Sequence, residues 1–181
     1  MRVAALAIIL VLATQSAAAE PLPSGSIGAF LGGVLGTGAD AKALGRGYMW
    51  GVAAAWQPMT TDQRVNWAAK WSASFGTMYD ADAARLGEDL VTVQMDLMPG
   101  IRLRPGESRA RYLTLRAGGS LLRTNQVIPD RMQRAFVGGI ASVGYDLYVA
   151  GWLFNVDARY SLIGAGPTSL GLVIGISRTG P

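Results

Sequence analysis

From residue 26 onward, apolar and polar side chains alternate with period two along almost the whole chain. Between Tyr48 and Pro58, the side chains of Tyr48, Trp50, Val52, Ala54 and Trp56 share one face, and Met49, Gly51, Ala53, Ala55 and Gln57 share the other. Between Trp67 and Tyr79 the odd positions from Trp67 and Trp71 to Phe75 and Tyr79 oppose Ala68, Lys70, Ser72, Ser74, Gly76 and Met78. This is the periodicity of half-buried strands, not of helices. Val91 to Leu103 continues it, with apolar odd positions against Thr92, Gln94, Asp96 and Arg102, and Pro99 as the one interruption. Leu113 to Leu121, Val137 to Val149, Trp152 to Leu162 and Leu170 to Ile176 complete the pattern. In the Gly-rich segment Ser26 to Gly36, Phe30 and Leu31 compete for the apolar face, so its parity stays open. The sum is eight strands of roughly 9 to 14 residues, an even number of bilayer-length elements.

The links between them also alternate. Thr37 to Gly47, Asp80 to Asp89 and Arg123 to Arg134 are long and polar, whereas Met59 to Asn66, Arg104 to Ser108 and Ala150-Gly151 are shorter. Ala150-Gly151 joins Val149 and Trp152 on one face, as a two-residue hairpin requires. Long links after strands one, three and five place the N-terminus in the periplasm and the long links outside. Ile163 to Pro167 is the short exception.

Alternation alone fits a soluble barrel with an apolar interior or an inside-out barrel with an apolar exterior. Composition separates the two. A soluble barrel carries many Lys and Glu outside, but the polar faces here are mostly Gly, Ser, Ala and Thr, which suit a narrow lumen. No charge falls on the apolar face between strand ends, where Arg or Lys at the bilayer midplane costs about 2–4 kcal/mol. Tyr48, Trp50, Trp56, Trp67, Trp71, Tyr79, Tyr145, Trp152 and Tyr160 lie toward strand ends, in the manner of interfacial aromatic girdles. The expected fold is all-β, an eight-stranded antiparallel transmembrane barrel with an up-and-down meander.

Residues 1–19 read as a cleaved signal peptide, leaving 20–181 as the barrel domain. Arg2 gives the positive start, Val3 to Thr14 the apolar stretch, and Ala17-Ala18-Ala19 the small residues at the cleavage site. The protein is therefore expected in the outer membrane after export. Absence of Cys and His excludes disulfides, thiolate chemistry, Ser-His catalysis and the usual zinc sites. A formal net charge of +4, one unit of it from Arg2 in the leader, is too small to argue for nucleic acid.

At Ser169-Leu170-Gly171-Leu172-Val173-Ile174-Gly175-Ile176 the chain resembles the last-strand assembly signal of eight-stranded outer-membrane barrels of the OmpA transmembrane-domain and OmpX type. Ser169, Gly171, Ile174 and Ile176 match the polar, Gly and two apolar positions. The family's terminal aromatic is replaced by Ser177-Arg178-Thr179-Gly180-Pro181, and no peptidoglycan-binding domain is expected beyond. The resemblance implies outer-membrane lipid, lipopolysaccharide and the barrel-assembly machinery as partners, with an envelope protein as a further one. Barrel enzymes of similar shape, the lipid A deacylases, palmitoyltransferases, omptins and phospholipase A, use His, which this chain lacks.

The candidate chemistry lies on the polar faces. Lys70, Arg102, Arg116 and Arg159 accompany Asp96, Asp146 and Asp157 in a lumen too narrow for free water. Buried charges pair, so a salt-bridged plug is the first reading and a gated ion pathway the second. A five-residue turn after Leu103 places Asp96 opposite Arg116. Asp80, Asp82, Glu88 and Asp89 make one long link acidic, either a solvated loop or a site for Ca²⁺ at lipopolysaccharide. Arg104, Arg109 and Arg111 gather at one turn, solvated or against anionic headgroups. The Gly28, Gly32, Gly36 run is too short for a membrane helix and reads as close packing within a strand. No cofactor and no catalytic residue is expected. The functional expectation is a non-enzymatic barrel in a structural or surface-interaction role, with a small-solute or ion channel as the alternative.

Overall fold

Eight antiparallel strands close on themselves in sequence order in the computed structural model, which describes residues 25–38, 45–57, 64–79, 89–107, 110–125, 135–162 and 168–180. They are β1 (Gly25–Thr37), β2 (Arg46–Trp56), β3 (Val65–Tyr79), β4 (Leu90–Leu103), β5 (Arg111–Thr124), β6 (Ala135–Val149), β7 (Trp152–Leu162) and β8 (Thr168–Thr179). Closure comes from β1 against β8, where Ala29 pairs Ile176 and Val34 pairs Gly171, so the sheet has no free edge. The expected leader, residues 1–19, lies outside the described residues.

Alternation sorts the side chains as the period-two pattern requires. Outward positions are apolar and exposed, from Ile27 at 73% and Val137 at 73% to Tyr145 at 38%. Inward positions are buried and mixed. In β1 the inward parity belongs to Phe30 and Val34, while Leu31 and Leu35 face out, which settles the ambiguity of that segment. Among the described residues, the outward charges of the strands stand only near their ends, at Arg46 and Arg123 on one rim and at Arg111 and Arg178 on the other. The exterior thus presents an uninterrupted apolar band, the opposite of a water-soluble surface.

The lumen is divided along its axis. Toward the rim away from the termini, Val34, Met49, Met78, Leu90, Leu122, Phe136, Ile140 and Val173 fill it with buried apolar side chains. Thr92, Gln94, Thr124 and Ser161 lie among them, and toward the middle and the termini the charges gather, packed with Ala53, Ala68, Met98, Tyr112 and Leu153. Gly28, Gly32 and Gly36 lie in β1, where an added methyl at Gly28 or Gly32 would strike the backbone of β8, so the run packs strand on strand.

Several local expectations change. The turn between β4 and β5 is longer than five residues, because β5 begins at Arg111, and Leu103 opposes Leu113. Asp96 therefore faces Ser120, and Arg116 faces Gly100, four residues away along the strand from the expected partner. The even shift preserves the faces and changes only the rows. Pro99 interrupts the β4–β5 ladder, whose paired positions skip from Leu97↔Gly119 to Gly100↔Arg116, yet it stays paired to Ala69 of β3. The links 38–45 and 57–64 are equal in length, since β1 and β2 run further than their apolar alternation suggests, so the long–short contrast holds only for the later links. At Ala150-Gly151 both residues have positive φ, 48° and 77°, the geometry of a type I′ hairpin turn, with Val149 paired to Trp152.

Candidate functional site: the charged lumen

All seven charged residues expected on the polar faces meet inside the barrel. Lys70 from β3, Asp96 and Arg102 from β4, Arg116 from β5, Asp146 from β6, and Asp157 and Arg159 from β7 are each at most 6% exposed. Desolvated charges at this depth need partners, and each of the seven has an opposite charge within 3.8 Å. Asp157 is the hub. Its carboxylate accepts from Lys70 Nζ at 2.5 Å and from Arg116 Nη1 at 3.1 Å, with Arg159 Nη2 at 3.6 Å, inside ion-pair range but beyond a hydrogen bond. Arg116 spans two carboxylates, its Nη2 reaching Asp146 Oδ2 at 3.3 Å. Asn155 completes this centre: its amide donates to Asp146 Oδ1 at 2.5 Å, and its oxygen accepts from Lys70 at 2.8 Å.

Gly144 makes the hub possible. It lies in one cross-strand row with Thr114 and Asp157, and a Cβ there would fall onto Asp157 Oδ1 and within 2.7 Å of Thr114 Oγ1.

Asp96 forms a second centre. It sits in a row between Ser72 of β3 and Ser120 of β5, and accepts from Ser72 Oγ at 3.0 Å, Ser120 Oγ at 2.7 Å and Gln94 Nε2 at 2.8 Å. The nearest cation is Arg159, at 3.8 Å. The two serines satisfy the carboxylate with neutral donors, so Asp96 needs no Arg116 opposite it.

Arg102 makes a third, toward the termini. Its guanidinium lies 4.1 Å from the ring centre of Tyr112 and 5.0 Å from that of Tyr148, donates to the Tyr148 hydroxyl at 2.7 Å, and stands 3.6 Å from Asp146. Two aromatic faces around one guanidinium supply cation–π attraction where water is excluded. Ser72, Gln94, Tyr112, Ser120, Tyr148 and Asn155 escaped the sequence reading as network members. Their signal was available in their parity, since each shares the inward face of its strand with a charge.

The outward aromatics fall at different heights. Trp56, Trp67, Trp152 and Tyr145 lie toward the rim of the termini, and Tyr48, Tyr79 and Tyr160 toward the opposite rim. Tyr48 and Tyr79 are 5.6 Å apart between ring centres, and Arg178 covers Trp152 at 5.3 Å. Trp50, stacked on Phe75 at 5.2 Å, and Trp71, paired with Ala54 and Leu97, sit deeper than a girdle. Their depth corrects the placement of these two near strand ends. Of the last-strand motif, Gly171 faces inward, Ile174 and Ile176 face out, and Ser169 pairs with Gly36 of β1. Asp80, Asp82, Glu88 and Arg109 lie outside the described residues. Asp89 stands at the rim away from the termini, where its carbonyl accepts from Asn125 at 3.3 Å, and Arg104 and Arg111 stand at the rim of the termini.

By sequence, no protein-family model and no curated protein matches the chain. By structure it is similar to Ail, the attachment invasion locus protein of Yersinia pestis, at 11% identity and TM-score 0.56, over 87% of this chain and 98% of that one. It is also similar to Neisserial surface protein A, at 12% identity and TM-score 0.63 over 87% and 97% of the two chains. The outer membrane enzyme PagL aligns at 10% identity and TM-score 0.51 over 86% and 99%. At such identities the likeness is one of fold. Together with the closed meander and the apolar exterior, it gives this chain the fold of the small eight-stranded outer-membrane β-barrels.

Proposed function

We propose that the chain is a non-enzymatic integral protein of the outer membrane with a structural or surface-interaction role, its lumen closed by salt bridges. The observation that carries this reading is the charged hub on Asp157, which ties β3, β5 and β7 together across the interior. The mostly apolar side chains above it fill the other half of the lumen, and such a constriction disfavours ion passage. The apolar exterior supports residence in a bilayer. A non-catalytic role is supported by the chemistry available: no His or Cys exists in the chain, and Ser72 and Ser120, the described serines that donate to a carboxylate, are at most 3% exposed. Fold likeness to an attachment protein and a surface protein favours the surface-interaction role, with lipid and lipopolysaccharide as surroundings and the barrel-assembly machinery as the route into the membrane.

The test is single-channel recording of the purified protein in planar bilayers, together with fractionation of cells producing it. Negligible conductance, recovery with outer membranes and a mobility shift on boiling are expected. A robust ohmic conductance would make the channel the correct reading, and recovery in the soluble periplasm would remove the membrane assignment.

A further inference from the structure

The lumen charges do not balance among the described residues. Lys70, Arg102, Arg116 and Arg159 face three carboxylates, Asp96, Asp146 and Asp157. Two cations make no hydrogen bond to a carboxylate, Arg102 and Arg159, and they differ in what else holds them. Lys70 and Arg116 hydrogen-bond carboxylates directly, and Arg102 is held by Tyr148 and two rings. Arg159 reaches its carboxylates only at 3.6 and 3.8 Å, and its Nε and Nη2 have no hydrogen-bond partner although the residue is 4% exposed. Two other buried groups without a partner are its neighbours by register. Arg116 pairs with Ser142, and Ser142 pairs with Arg159, so the three form one row across β5, β6 and β7 on the lumen wall. Arg116 Nε and Ser142 Oγ are both unpartnered and both residues are at most 5% exposed.

Side chains in such a row have Cβ atoms about 5 Å apart, which sets Ser142 between the bases of two guanidiniums. We propose that this row binds one small monovalent inorganic anion of the halide class, held by Ser142 Oγ–H and by the Nε–H groups of Arg116 and Arg159. The ion supplies the missing negative charge, and buried donors that otherwise carry a full desolvation cost are satisfied. Water offers acceptors but no charge. Toward the end of the termini, two small cavities of about 10 and 20 Å³ share Ser26, Ala55, Arg116, Asp146 and Leu153, and meet the row at Arg116. Each has room for a water-sized particle. The apolar filling blocks the other direction, so the ion is a resident and not a permeant.

The probe is bromide, used with the full-length protein in detergent. Crystals grown in sodium bromide are expected to show an anomalous peak within hydrogen-bond reach of Ser142 Oγ. In solution, stability at constant ionic strength is expected to rise when gluconate is replaced by bromide, with an apparent affinity weakened about tenfold in Ser142→Ala, the loss of one hydrogen bond to a charge. Arg159→Gln should abolish the halide dependence. An ordered water without anomalous signal at Ser142, or equal halide dependence in wild type and Ser142→Ala, overturns the proposal. Those two measurements decide it even where Arg159→Gln fails to fold.

Discussion

Lys70 and Asp157 stand on opposite walls of the barrel, on β3 and β7, and their side chains meet across the lumen at 2.5 Å. In a closed ring of eight strands these two are four apart in either direction, so the pair spans the interior instead of decorating one wall. It is the shortest statement of why this lumen is a packed core.

Breaking that pair from the acidic side leaves Lys70 without a carboxylate and removes one of two from Arg116 and Arg159. Asp157→Ala is expected to lower stability by about 3–5 kcal/mol, the usual cost of orphaning a buried charge. The double variant Lys70→Ala/Asp157→Ala should lose less than the sum of the single changes. Urea unfolding in phospholipid vesicles, followed by tryptophan fluorescence, measures all three, and strictly additive losses would contradict the direct pair.

The β4–β5 register is testable by crosslinking, because the chain has no cysteine of its own. Val93 opposes Arg123. Val93→Cys/Arg123→Cys should form a disulfide readily under mild oxidation, since directly opposed positions have Cα atoms about 4.5–5.5 Å apart. Val93→Cys/Gly119→Cys, the pair required by a five-residue turn, should not. The reverse outcome on a non-reducing gel would restore Asp96 opposite Arg116.

Ala150 holds a backbone conformation that suits Gly or Asn, with φ at 48°. Ala150→Gly or Ala150→Asn should therefore stabilise the β6–β7 hairpin, by about 0.5–1 kcal/mol. A fall in the unfolding midpoint for both replacements would show that the turn is not strained.

Gly144 and Gly139 are both in β6, one facing the lumen and one the lipid. A methyl at Gly144 lands on the Asp157 carboxylate, whereas at Gly139 it finds nothing closer than 3.8 Å. Gly144→Ala is expected to cost about 1–3 kcal/mol through overpacking and Gly139→Ala close to nothing. Equal effects in a thermal unfolding series would remove the special role of the lumen glycine.

Parity made most of this legible in the chain. A one-residue slip turns every side chain of a strand to the other face, so the seven lumen charges could be assigned inward without any knowledge of pairing. Rows are a different matter. Whether Asp96 meets Arg116 or Ser120 depends on turn length, and the alternation of β5 fades at Arg111 and Tyr112, where the strand in fact begins. Contacts across the lumen, such as Lys70 with Asp157, depend on closure and have no counterpart in linear spacing. The parity of β1 was illegible for another reason: glycines carry no side chain to vote, and the inward choice follows from the Phe30 ring, which packs 4.7 Å from the Arg159 guanidinium.

The distribution of partners around Asp157 bears on how the barrel enters a membrane. Lys70 arrives on β3, Arg116 on β5, and Asp157 itself on β7, so no single hairpin carries the whole set. The β3–β4 hairpin inserted alone would present Lys70 to hydrocarbon without Asp157, at about 2–4 kcal/mol for a Lys or Arg at the midplane. Asp157 meets Lys70 and Arg116 only when strands distant in the chain are brought round together. Such a distribution favours concerted closure over strand-by-strand insertion.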